Sequence, residues 1–181
     1  MAEAALKRMT VAEFLEWDDG TQRHYELVDG RIVAMAPPVL RHTGLVVRIA
    51  SGLHQRLPPP CWAGTQVGIV LPRRNDVWYE ADIAVMCVPQ DDKRFTTEPR
   101  VIVEILSPST QDHDLLQKLP DYRQIPSLED MLYVSAEERL VRHWIRGQES
   151  RLPARVREGS VKLQAFDIEL PLDEIYEGSG L

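Results

Sequence analysis

The sequence predicts an α/β domain, a mixed central β-sheet flanked by helices. Three observations carry this. Apolar residues recur at helical spacing over residues 41–57. Strand-length apolar runs bounded by turn residues fill much of 65–106. Helical and extended patterns alternate along the chain, with no internal repeat and no low-complexity segment. At 181 residues, 44% hydrophobic and 27% charged, the chain has the size and composition of one domain, taken as 1–181 with flexible ends at 1–9 and 177–181.

The elements follow in order. Residues 10–17 form a short helix: Thr10 caps it, Glu13 completes a capping box, and Met9 and Phe14 are placed as a hydrophobic staple. Residues 24–28 and 31–35 flank Asp29-Gly30, the signature of a two-residue hairpin turn with positive φ. Pro37 and Pro38 end the second strand. The helix over 41–57 places Leu45, Val46, Ile49, Ala50, Leu53 and Leu57 on one face and stops at Pro58-Pro59-Pro60. Strands are predicted at 65–71, 79–88 and 100–106, with a turn at Ser107-Pro108-Ser109-Thr110. A helical stretch over 112–124 contains Pro120, so either it starts near Leu119 with proline in its first turn or it kinks. A second hairpin at 131–135 and 140–145, a short strand near 161–165 and an amphipathic turn at 172–176 complete the chain.

Composition excludes several classes. No apolar run approaches the roughly 20 residues of a membrane span, and the opening MAEAALKRMT lacks the apolar core of a secretory signal. The expectation is a cytoplasmic protein with no membrane contact. Cys61 and Cys87 allow one disulfide; two reduced thiols in a cytosolic protein is the simpler reading. The net charge of -7 argues against binding nucleic acid through bulk charge, though not against local basic patches.

The informative residues are carboxylates inside strand patterns. Glu104 interrupts the run from Val101 to Leu106, which is apolar on both faces and reads as an interior strand. A carboxylate there costs several kcal/mol in desolvation unless it is paired or bound to a cation. Asp82 poses the same question on a face shared with Ala84 and Met86, and Glu26 does so in the first hairpin. For any one acid alone, a strand-end pairing with arginine is the better reading; for Asp82 and Glu104 together, a shared divalent cation is. Lys118, four residues after Asp114 and four before Tyr122, reads as an exposed helical ion pair unless its helix folds back over the strand of Glu104. The five histidines show no metal spacing and read as structural or surface residues.

The segments Tyr25-Glu26-Leu27-Val28-Asp29-Gly30, Ala81-Asp82-Ile83-Ala84-Val85 and Val103-Glu104-Ile105-Leu106-Ser107-Pro108-Ser109-Thr110, followed by Lys118 and Tyr122, resemble the Uma-type family, described as restriction endonucleases. The resemblance covers roughly residues 10–176 and implies a restriction-endonuclease-like fold, similar to the PD-(D/E)XK nuclease core. It implies Asp82, Glu104 and the carbonyl of Ile105 as ligands of Mg2+ or Mn2+, with Glu26 as an upstream acid helping to hold the metal or its waters. It places the catalytic lysine at Lys118, because the position two after the second acid is Leu106. The activity implied is metal-dependent hydrolysis of DNA phosphodiesters. Arg41, Arg48, Arg73, Arg74, Lys93 and Arg94 are the candidate DNA contacts, and a homodimer through the long helix near Val47 or through the second hairpin is the expected assembly. The alternatives are a catalytically inactive nuclease-fold module with a binding or assembly role, and a hydrolase of small phosphate esters.

Overall fold

The computed structural model describes residues 8–107, 114–148 and 152–181. The expected turn residues Pro108, Ser109 and Thr110, the start of the helical stretch at 112–113 and the N-terminal residues 1–7 lie outside the described residues.

The first helix, α1 (Val11–Glu16), has the capping box at Thr10 and Glu13. Met9, Phe14, Leu27 and Trp78 form a small core of their own. β1 (Tyr25–Val28) and β2 (Arg31–Ala34) pair around a turn in which Asp29 and Gly30 both have positive φ, +50° and +74°. α2 (Leu40–Arg56) buries Leu45, Ile49 and Leu53. β3 (Trp62–Val70) and β4 (Trp78–Met86) form a long antiparallel ladder. After β5 (Phe95–Thr96) and β6 (Val101–Leu106), a π-helical turn (Asp114–Lys118) runs into α3 (Leu119–Tyr122). Pro120 lies in the first turn of α3. Having no N–H, it cannot continue an α-helical ladder through the preceding turn, and the chain widens there instead. β7 (Asp130–Ser135), β8 (Val141–Ile145), β9 (Ala154–Val156), β10 (Ser160–Leu163), β11 (Ile168–Pro171) and α4 (Leu172–Tyr176) follow.

The main sheet runs β2-β1-β4-β6-β7-β8-β9, with β3 along the other edge of β4 and β5 beyond it. β6 and β7 are parallel and the remaining pairs along this path are antiparallel. A mixed sheet flanked by helices is therefore what the alternating pattern builds. On one face, α2, α4 and the β10–β11 hairpin bury Ile83, Val85, Val103, Ile105 and Leu132. On the other face, α3 covers Ile102, Leu106, Met131, Tyr133 and Trp144. Asp130, fully buried, accepts hydrogen bonds from the amides of Gln164 (3.1 Å) and Ala165 (2.8 Å) and stands 2.7 Å from His143 Nε2, tying the small hairpin to the sheet. No helix among the described residues is long and apolar enough to cross a membrane.

The cysteine expectation is corrected. Cys61 and Cys87 form a disulfide. The pairing of Trp62 with Met86 continues one step outward to put these two residues opposite each other, although 26 positions separate them in the chain.

Tyr176 closes the other end of the core. Its hydroxyl accepts from the amide of Leu140 (3.2 Å) and lies 2.8 and 3.1 Å from the carbonyls of Leu140 and Ser135. Burial pushes its ionisation up to about 12, opposed by its hydrogen bonds to Leu140 and Ser135. With the folded value above the unfolded one near 10, the folded protein holds the phenolic proton longer, so this contribution is intact below pH 10 and is lost as pH rises toward 12. Tyr176→Phe is expected to lower the melting temperature by a few degrees at neutral pH, through about 1–2 kcal/mol of lost hydrogen bonding, and to flatten the decline in stability between pH 10 and 12. Thermal melts across that range check both; identical alkaline profiles for parent and variant would exclude the assignment.

Candidate functional site

The site is built where two strands leave the same edge of β4. β1 pairs there at Trp78, and β6 pairs at Ile83, Ala84 and Val85. Between them that edge of β4 has no strand partner among the described residues, and side-chain carboxylates fill the gap. Glu26 Oε1 accepts the amide of Glu80 at 2.9 Å. Asp82 Oδ2 accepts the amide of Ile105 at 2.7 Å, standing in for the ladder where β6 peels away. On the opposite strand Gln66 takes φ +54°, and the ladder resumes on either side of it. The alternation of faces slips at this point: Tyr79 and Ala81 lie in the same core as Ala84 and Met86, while Ile83 lies in the other.

Glu104 faces α3, as its place between Ile102 and Leu106 requires. It is 3% exposed. Its Oε1 accepts the hydroxyl of Tyr122 at 2.8 Å and lies 3.4 Å from Lys118 Nζ. The widened turn before α3 points Lys118 inward. Its Nζ stands 2.8 Å from Glu26 Oε1 and 3.4 Å from both Glu104 Oε1 and Asp114 Oδ1. Lys118 is itself 3% exposed, so the exposed-pair reading fails and the fold-back reading holds. Tyr79 completes the wall: its ring lies 5.6 Å from the ammonium and its hydroxyl donates to Asp121 at 2.7 Å.

The structure thus brings Glu26, Glu104 and Lys118 into contact, sets Asp82 on the neighbouring strand against the Ile105 amide, where its charge is felt at Glu104, and adds two residues. Asp114 is 4% exposed, whereas its sequence suggested a surface partner for Lys118. His42, in the first turn of α2, places Nε2 3.2 Å from Asp82 Oδ1. It approaches from the opposite face of the sheet, and its Nδ1 is buried without a hydrogen bond. The expectation of a structural or surface role for every histidine misses this contact; no spacing signals it, because the partner is a strand residue 40 positions away in sequence. His143 is bound to Asp130 and His24 to Glu80, while His113 lies outside the described residues.

The electrostatics are those of a crowded acid cluster. Burial raises the Glu104 carboxyl well above the ordinary range; Lys118 opposes this, and the charges of Asp114, Asp82 and Glu26 add to it. For Lys118, burial works against the charge, but Glu104, Glu26 and Asp114 outweigh it and hold the ammonium well above its usual value. Burial and the charges of Glu104 and Glu26 raise Tyr122. Three carboxylates around one ammonium, with the charge of Asp82 also felt at Glu104, leave an excess of negative charge in a poorly solvated place, which an additional cation would relieve.

The donor set is compatible with a hard cation. Asp82, Glu104, Glu26 and the Ile105 carbonyl offer oxygen only, as magnesium and manganese prefer. Among the described residues no three His, Cys, Asp or Glu side chains converge into a ready metal cage. That is consistent with an ion that takes one or two carboxylates from the protein and the rest of its shell from water and substrate.

Several expected DNA contacts are otherwise engaged. Arg74 is bound to Asp76 and Asp29, Lys93 to Asp91, Arg41 to the carbonyl of Ala136 and Arg48 to that of Gly44. Arg73 and Arg94 are exposed.

Comparison with known proteins gives the family and the fold. The family model described as "Uma2: Putative restriction endonuclease" matches residues 11–173. Two proteins of Synechocystis sp., both described as uncharacterised, are similar. One is 30% identical over 136 residues (74% of this chain, 72% of the relative). The other is 26% identical over 147 residues (74% of this chain, 78% of the relative). A crystal structure from Anabaena variabilis, described as a putative nuclease belonging to DUF820, superposes with a TM-score of 0.72 at 19% identity, covering 93% of this chain and 97% of that one. At that identity the likeness is one of fold, a nuclease-like mixed sheet. The family match spans the three strand acids and Lys118, and the chain belongs to the Uma2 family of restriction-endonuclease-like proteins.

Proposed function

We propose that the protein is a metal-dependent DNA endonuclease that hydrolyses phosphodiester bonds. The observation that carries this is a buried lysine held by Glu104 and Glu26 from two strands, with Asp82 on the strand next to Glu104 bonded to the Ile105 amide and its charge felt at Glu104. Asp82, Glu104 and the Ile105 carbonyl would hold Mg2+ or Mn2+, with Glu26 next to them. A bound ion of this kind supplies polarisation of a phosphoryl oxygen and a lowered pKa for water.

The chain's own groups do the rest. The amide of Ile105 and His42 fix the Asp82 carboxylate from two sides. Tyr122 holds Glu104 by its hydroxyl, which leaves the rotation of that carboxylate little freedom. Lys118 supplies positive charge where the phosphate gains negative charge in the transition state, or orients the attacking water. The excess of acids keeps that lysine protonated throughout.

The test is cleavage of supercoiled plasmid in Mg2+ or Mn2+. Cutting is expected from the parent and none from Asp82→Ala or Glu104→Ala. Binding of the ion at a hundredfold over its Kd would stabilise the fold by about 2.7 kcal/mol, a thermal shift that Asp82→Ala should erase. Variants that cut as well as the parent would refute the assignment.

A second reading is favoured by one observation. Lys118 makes three ion pairs at 2.8–3.4 Å and is almost fully buried, as in a closed structural cluster. An idle module with a binding or assembly role would show no metal-dependent thermal shift and no cleavage.

A further inference from the structure

The sheet carries the site outward along one row. Glu104 is paired with Tyr133 on β7, Tyr133 with Arg142 on β8, and Arg142 with Arg155 on β9. Residues directly opposite one another share a face, so all four side chains stand on the face that carries Lys118. The neighbours agree: Val141 and Val156, flanking the two arginines in sequence, pack into the core on the other side. Tyr133 is buried beneath the α3 layer, whereas Arg142 is half-buried and Arg155 exposed. The row therefore begins in the acid cluster and emerges at the surface as two arginines.

Those arginines are unusual in this molecule. Like charges directly opposite on neighbouring strands repel. Several other arginines are matched with acids: Arg157 with Glu138, Arg139 with Asp173, Arg56 with Glu174 and Arg100 with Glu129. Arg142 and Arg155 face each other with no acidic partner among the described residues. In a chain of net charge -7, an uncompensated cationic pair beside an acid cluster is a place for an external anion.

We propose that Arg142 and Arg155 form a phosphate-contacting shelf for a nucleic-acid strand whose scissile phosphate lies at Glu104, an inference that rests on the nuclease reading for the position of that phosphate. At about 4.8 Å per strand the two arginines stand about 10 and 14 Å from Glu104 along the sheet. With about 3.4 Å of rise per nucleotide, they meet phosphates roughly three and four steps from the cut. The shelf reads backbone rather than bases, so it fixes the register of the duplex without choosing its sequence.

The test uses the full chain and a double-stranded oligonucleotide, with EDTA present to prevent cleavage, and measures Kd by fluorescence anisotropy across a salt series. The Arg142→Gln, Arg155→Gln double variant is expected to bind at least about tenfold more weakly and to lose about two units of the slope of log K against log salt. Arg155→Gln alone, at an exposed position, should lose about one. Both variants should melt no lower than the parent, since a repulsion is removed, and Arg139→Gln on the opposite face should bind as the parent does. An unchanged affinity and slope in Arg155→Gln and in the double variant overturns the shelf, even if the parent cuts plasmid through Glu104. Salt-dependent binding that is lost with the arginines, in a protein that never cuts, supports the shelf and rejects the nuclease reading instead.

Discussion

Lys118→Met is expected to lower the melting temperature by about 10 °C. The substitution keeps the length of the side chain and removes a cation that touches Glu26, Glu104 and Asp114 together. Removing one partner of a buried ion pair typically costs about 3–5 kcal/mol, because the other charge is left behind. For a domain of this size each kcal/mol is worth about 2–4 °C. The desolvation opposing Lys118 is already met in the parent by its three acids, so the variant loses the attraction and keeps the buried carboxylates. Manganese should recover part of the loss, as a second cation entering the same cluster. Differential scanning calorimetry with and without the ion checks this. A melting temperature within a degree of the parent's would mean that the cluster is solvated and that Lys118 is not its centre.

Glu104→Gln is expected to act in the opposite direction on stability and to abolish cleavage. The buried carboxylate is destabilised as an anion by desolvation and by Asp114, Asp82 and Glu26, with Lys118 opposing. The amide has nearly the same shape and its oxygen can still accept the Tyr122 hydroxyl. Relieving one of four crowded acids should raise the melting temperature by a few degrees, while plasmid cutting falls by about a thousandfold or more. A folded variant that melts lower and still cuts would contradict both halves. The opposite signs at Lys118 and Glu104 distinguish a strained catalytic cluster from a set of ion pairs kept for stability alone.

Much of this site could be read from the chain because its residues break local rules. Glu104 in an apolar strand and Asp82 in another are conspicuous, since a strand buried on both faces has no ordinary use for a carboxylate. Pro120 in a helical pattern announced a boundary, and the chain does restart at Leu119. Asp114 was illegible for the opposite reason: an acid four residues from a lysine looks like any surface pair until the turn is widened and tucked inward. The disulfide and the His42 contact depend on the register of β4 against β3 and on the approach of α2 to β4, which no local pattern encodes. The strands at Phe95–Thr96, Ala154–Val156 and Ile168–Pro171 are too short for periodicity to mark; they form because an existing edge offers them partners.

The N-terminal helix and hairpin carry a consequence for motion. They share a small core with Trp78 of β4 and join its edge at one ladder position, Leu27 with Trp78, besides backbone hydrogen bonds from Val11 to Asn75 and from Gly30 to Asp76. A unit joined by so short a ladder is placed to open by local unfolding while the central sheet stays protected against amide exchange. Because it supplies Glu26, each opening would withdraw the shortest ion pair from Lys118 and let water reach the lysine, so the breathing of the amino-terminal unit and the charge balance of the acid cluster are mechanically coupled.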